Sequence, residues 1–155
     1  MPNHFLLTPL AGRVLRNASA SAFTLSRDFL DTEHILHAML SEDRAIAIEI
    51  LKGFRIDIEK IRKDIETPRK RRALPSCGVE LPATTSVQKV LQTAFENCKA
   101  NDRINISTGD LLVGIVAERN GLAANILHKR GITFDYLDDV RDEVHLKCEL
   151  SDERL

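Results

Sequence analysis

The chain repeats itself, and that limits what it can fold into more than any other feature. Residues 8–61, moved forward by 76 positions, lie on residues 84–137 without a gap. Twelve of the 54 pairs are identical, among them Thr8/Thr84, Val14/Val90, Ala18/Ala94, Thr32/Thr108, Leu36/Leu112, Glu42/Glu118, Leu51/Leu127 and Ile56/Ile132. Chance would give about three at ordinary residue frequencies. Several other pairs exchange like for like, such as Ile35/Leu111 and Met39/Ile115. A duplication of this kind predicts one structural unit that buries its apolar face against a twin, and it favours a binding surface over a catalytic pocket.

The period inside each copy is helical. Val87, Val90, Leu91, Ala94, Phe95 and Cys98 recur at the spacing of one face of an α-helix, and Leu10, Val14, Leu15, Ala18 and Ala22 answer them in the first copy. Thr8 before Pro9 reads as a cap followed by proline at the first helical position, and Thr84 stands at the matching place. Second helices are expected to start at Asp31-Thr32 and Ser107-Thr108, where Glu33 and Asp110 suit the positive end of the helix dipole. Third helices carry Ile46, Ile50 and Leu51, or Leu122, Ala123, Ile126 and Leu127, with Gly131 as a stop. Fourth helices carry Ile58, Ile61 and Ile65, or Phe134, Leu137, Val140 and Val144. The expected fold is therefore all-α, a tandem duplication of a four-helix repeat with eight helices and a pseudo-two-fold axis, its core including Leu36, Leu51, Leu112 and Leu127.

At 155 residues this is one domain, residues 1–155, read as repeat one at 5–66, a linker at 67–83, repeat two at 84–146 and a polar tail at 147–155. The linker holds three prolines and the basic run Arg69-Lys70-Arg71-Arg72, which reads as a solvated segment. A net charge of −1 and a single tyrosine give no footprint for nucleic acid. No apolar run is long enough for a membrane helix. Cys77, Cys98 and Cys148 form no CxxC, which predicts a reducing, cytoplasmic setting rather than a disulfide framework. Cys98 falls on the apolar helix face and reads as a small core residue. His34 and His37, at i and i+3, have a spacing that could hold a metal, but no third ligand accompanies them and no metal or other cofactor is expected.

The segment FLDTEHILHAMLSEDRAIAIEILKGFRID, followed by a second copy reading VLQ…TG…LLVGI…E…AA..L.K, resembles the Clp N-terminal domain, also called the Clp repeat, with wording closer to ClpA than to ClpC. The resemblance covers residues 5–146. It implies a non-enzymatic interaction domain that docks adaptors or protein substrates for an ATP-dependent Clp unfoldase or protease. No GxxxxGK[ST] phosphate loop occurs in the sequence, so the ATPase modules of the family have no counterpart in it. The alternative is a free-standing Clp-repeat regulator that binds adaptors or Clp ATPase and protease subunits.

The resemblance also assigns residues. Docking of a ClpS-like adaptor falls on Asp28, Glu33 and Thr84. Phosphoarginine binding of the ClpC kind falls on Thr8 and Glu33. In the second copy Thr84 matches, but Gly109 stands where the glutamate would be and Asp110 follows one residue late. On the residues alone, Thr8 and Thr84 are helix caps and Asp28 and Glu33 are solvated charges. The binding surface is expected where the start of helix one or five comes near the loop before helix two.

Overall fold

The computed structural model describes residues 6–24, 29–42, 46–53, 55–66 and 84–133. These form seven helices: α1 (Pro9–Thr24), α2 (Thr32–Leu40), α3 (Ile46–Gly53), α4 (Ile58–Glu66), α5 (Thr85–Ala100), α6 (Thr108–Glu118) and α7 (Leu122–Lys129). The expected eighth helix, the linker and the tail lie outside the described residues.

The helices start where short polar side chains can hold free backbone amides. Thr8 Oγ1 accepts from the Ala11 N–H at 3.1 Å, and Thr84 Oγ1 accepts from Val87 at 3.3 Å. Asp31 and Ser107 each close a capping box with the third residue of the helix, His34 and Asp110 respectively. The ends of α3 and α7 explain two of the identical pairs. Gly131, at φ +84°, donates to the His128 carbonyl at 3.0 Å, while Ile132 reaches back to Leu127 at 3.1 Å. This is a Schellman closure, with Ile132 and Leu127 as the apolar contact that accompanies it. The first copy closes the same way through Ile56 and Leu51, but Arg55 takes the left-handed position at φ +60°.

Within each copy the first two helices run antiparallel. Arg13 near the start of α1 meets Glu42 just past α2, and Ser21 near the end of α1 meets His37. Asn97 meets Asp110 and Ser86 meets Glu118 in the α5–α6 pair. Gly114 allows that pair to approach closely, since a Cβ there would lie 2.5 Å from the Val90 carbonyl oxygen.

The third helices cross over. α3 packs on α6 of the other copy, α7 packs on α2, and α4 lies against both α2 and α7. Thr108 Oγ1, at the start of α6, accepts from the Ala47 N–H in α3 at 3.2 Å. Arg130 at the end of α7 donates to Asp64 in α4 at 2.6 Å. The two repeats are thus interlocked around one core in which Leu36, Leu51, Leu112 and Leu127 are fully buried. Phe95, placed by periodicity on the core face, is 37% exposed instead.

Candidate functional site

Two backbone junctions tie the copies together at equivalent places. The Thr84 N–H donates to the Leu30 carbonyl at 3.0 Å, and the Thr8 N–H donates to the Ile106 carbonyl at 3.0 Å. At the second junction Ile106 also donates to the Leu6 carbonyl at 2.8 Å, completing an isolated parallel bridge between Leu7 and Ile106. Each junction joins the first helix of one copy to the second helix of the other. Two helix starts, with their positive dipole ends, therefore converge at each.

At the α2/α5 junction the Thr84 hydroxyl donates to Asp31 Oδ1 at 3.1 Å, and the same oxygen accepts from the Thr32 N–H at 2.8 Å. His34 Nδ1 accepts from the Asp31 N–H at 2.8 Å. Glu33 lies in the first turn of α2 and is only 8% exposed. Thr84 and Glu33 thus share one junction, through an aspartate whose sequence context marks it as a cap alone. Nothing in the sequence marks that Asp31–Thr84 pairing, because the two residues are 53 positions apart. Asp28 lies outside the described residues.

The α1/α6 junction is built from different chemistry. Asp110 is fully buried. Its carboxylate accepts from Arg103 Nη1 and Nη2 at 2.6 Å each, from Asn97 Nδ2 at 2.7 Å, from the Ser107 N–H at 2.9 Å and from Ser107 Oγ at 3.1 Å. Next to this network, burial of Cys98 pushes its thiol up from its ordinary value; the Asp110 charge acts in the same direction and Arg103 against it. The rim of this junction is apolar, with Ile104 75% and Leu6 59% exposed.

Thr8 belongs to this second junction, through its N–H to the Ile106 carbonyl, and Glu33 to the first. α1 has 16 residues, or about 24 Å of rise, and α2 runs back along it. Thr8 stands at the end of that pair nearest Glu42, and Glu33 stands at the other.

His34 and His37 also part company. His34 is engaged in the capping box. His37 bridges three helices, with Nδ1 2.7 Å from Ser21 Oγ and Nε2 2.9 Å from Glu66 Oε1. Among the described residues no group of three or more histidine, cysteine, aspartate or glutamate side chains is placed to hold a metal, and no helix is long and apolar enough to cross a membrane.

This architecture has clear relatives. The sequence pattern of the Clp repeat (R) N-terminal domain matches residues 6–130. A ClpA homolog, described as an ATP-dependent Clp protease ATP-binding subunit, from Porphyra purpurea is 29% identical over 137 residues, covering 88% of this chain and 16% of the relative. ClpC/MecB of Bacillus subtilis, described as a negative regulator of genetic competence, is 27% identical over 128 residues, covering 83% of this chain and 16% of that protein. The chain therefore spans about a sixth of the length of these relatives, the part occupied by their N-terminal domain. In structure it is similar to the ClpV N-domain solved in complex with a VipB peptide, with a TM-score of 0.71, 14% identity, and coverage of 90% of this chain and 87% of that one. Duplication, cross-repeat junctions and sequence pattern agree: this chain belongs to the Clp repeat N-terminal domain family, of the ClpA/ClpC-like kind.

Proposed function

We propose that this domain docks an adaptor or a protein substrate at the α2/α5 junction and has no catalytic role of its own. The observation that carries the reading is the 3.1 Å bond from Thr84 to Asp31, which brings two helix starts and the acidic first turn of α2 into one place. An adaptor presenting amine, guanidinium or backbone donors finds the carboxylates of Asp31 and Glu33 there, and Asp28 is part of the proposed acceptor set by its place in the sequence alone. The ClpV N-domain held by a VipB peptide supports peptide capture as a use of this fold. The length of the relatives supports a setting next to ATPase modules, so that delivery to a Clp unfoldase or protease is the wider role. Free-standing regulation of Clp subunits is the second reading, and it uses the same surface.

The test is titration of the domain with a ClpS-type adaptor, followed by calorimetry. Glu33→Ala and Thr84→Ala should each weaken binding by about 10- to 150-fold, the loss of a hydrogen bond to a charged group. Thr84→Ser keeps the hydroxyl and the cap, and should bind like wild type. Thr8→Ala, at the other junction, should leave affinity unchanged. If wild type shows no binding below millimolar adaptor, or if Thr8→Ala weakens binding as much as Thr84→Ala, the assignment of the surface is wrong.

A further inference from the structure

Asn120 and Gly121 connect α6 to α7, and an asparagine followed by glycine is a chemically labile pair. Glycine has no Cβ, so its backbone nitrogen can reach the preceding side-chain amide with little obstruction. Here the glycine is imposed by packing. A Cβ at Gly121 would stand 2.3 Å from Thr32 Oγ1, at the start of α2, and 3.0 Å from Glu118 Oε2. Asn120 is exposed to water, and its side-chain amide makes no hydrogen bond among the described residues. The attacking group is held back. The Gly121 N–H donates to Glu118 Oε2 at 2.7 Å, and Glu118 Oε1 is fixed in turn by the Ser86 hydroxyl at 2.9 Å.

We propose that Asn120 is a site of spontaneous deamidation whose rate is set by the Ser86–Glu118 clamp on the Gly121 nitrogen. In the reaction the Gly121 nitrogen gives up its proton and bonds to Asn120 Cγ. The Cγ–Nδ2 bond breaks, and ammonia leaves with that proton. Water then opens the succinimide at either carbonyl, leaving aspartate or isoaspartate. The net change is amide plus water to acid plus ammonia. Ring closure requires Gly121 to turn off Glu118 and away from Thr32, so the folded domain must break a charge-assisted hydrogen bond before reacting. The isoaspartate product inserts one carbon into the main chain ahead of Gly121 and lifts it from Thr32, which sits between Asp31 and Glu33. The inference stands on the α6–α7 connection alone and does not depend on what docks at the α2/α5 junction.

The experiment incubates the whole chain in mildly alkaline buffer and follows the peptide carrying Asn120 by mass spectrometry, reading a gain of about 1 Da and resolving aspartate from isoaspartate by elution. A synthetic peptide of residues 116–125 gives the unclamped rate. The folded chain should react about 10- to 100-fold more slowly than the peptide, the factor expected for one hydrogen bond to a charged group. Glu118→Ala, shown by circular dichroism to be folded, should recover most of that factor, and Ser86→Ala part of it. Asn120→Ser should abolish the gain. Equal rates for folded chain and peptide overturn the proposal. So does a folded Glu118→Ala that reacts no faster than wild type; if that variant does not fold, an unaccelerated Ser86→Ala overturns it equally.

Discussion

Asp110→Ala should be the most damaging single substitution within the α1/α6 junction. The carboxylate is fully buried and accepts five hydrogen bonds, two of them from Arg103. Its removal leaves the guanidinium, itself only 13% exposed, as a buried charge without its carboxylate. Breaking such a pair costs about 3–5 kcal/mol, within which the lost capping box accounts for about 1. A domain of this size has about 5–15 kcal/mol in total, so the variant approaches unfolding. With a urea slope of about 2 kcal/mol/M, the midpoint should fall by about 1.5–2.5 M. Asp110→Leu combined with Arg103→Met removes both charges, and should recover most of the loss because the desolvation cost disappears with the pair. A single-variant loss under about 1 kcal/mol, or a double variant no better than the single, would refute the claim that Arg103 depends on this carboxylate.

Two further outcomes test the local chemistry. Cys98 has its thiol raised above the ordinary value of 9.0, so the folded state keeps a proton that the unfolded state releases. Its contribution is whole below that value and is lost as pH climbs above it; urea midpoints at about pH 8 and 10 should fall further for wild type than for Cys98→Ala. At the helix ends, Gly131→Ala should cost about 1 kcal/mol because alanine resists positive φ, whereas Arg55→Gly should be neutral or stabilising by up to about 1 kcal/mol; thermal melts that show a loss for Arg55→Gly would contradict the Schellman assignment of α3.

Local signals in the sequence reached far because they are local in cause. Thr8-Pro9, Asp31-Thr32 and Ser107-Thr108 mark helix starts through hydrogen bonds that span three residues, and Gly131 marks a stop through its own φ. The buried positions Val87, Val90, Leu91, Ala94 and Cys98 follow from the 3.6-residue period. Phe95 misleads because it sits about 80° around the helix from Val87, at the margin of that arc, where a large ring can lie half in water. A period names a face but no partner. Hence the crossing of α3 onto α6 and α7 onto α2 was not legible, nor was the Asp31–Thr84 bond. For the same reason the sequence does not show that Thr8 and Glu33 stand at different junctions.

The crossing changes what divergence between the copies can do. Each junction takes its threonine from one repeat and its acidic helix start from the other, so substitutions in one copy alter a site shared by both. The identical pair Glu42/Glu118 keeps its structural role, since each closes the second helix onto the first, through Arg13 on α1 or Ser86 on α5. Other paired positions of the sequence diverge. His34 becomes Asp110, which turns a capping box closed by an imidazole into one closed by a buried carboxylate paired with Arg103. Glu33 becomes Gly109, which deletes a carboxylate, and Asp28 becomes Ile104, which sets an exposed apolar side chain on the rim. Among the described residues these exchanges leave the α2/α5 junction with Asp31 and Glu33, and the α1/α6 junction with Asp110 fully buried and Ile104 and Leu6 exposed, so the two junctions no longer offer a ligand the same chemistry.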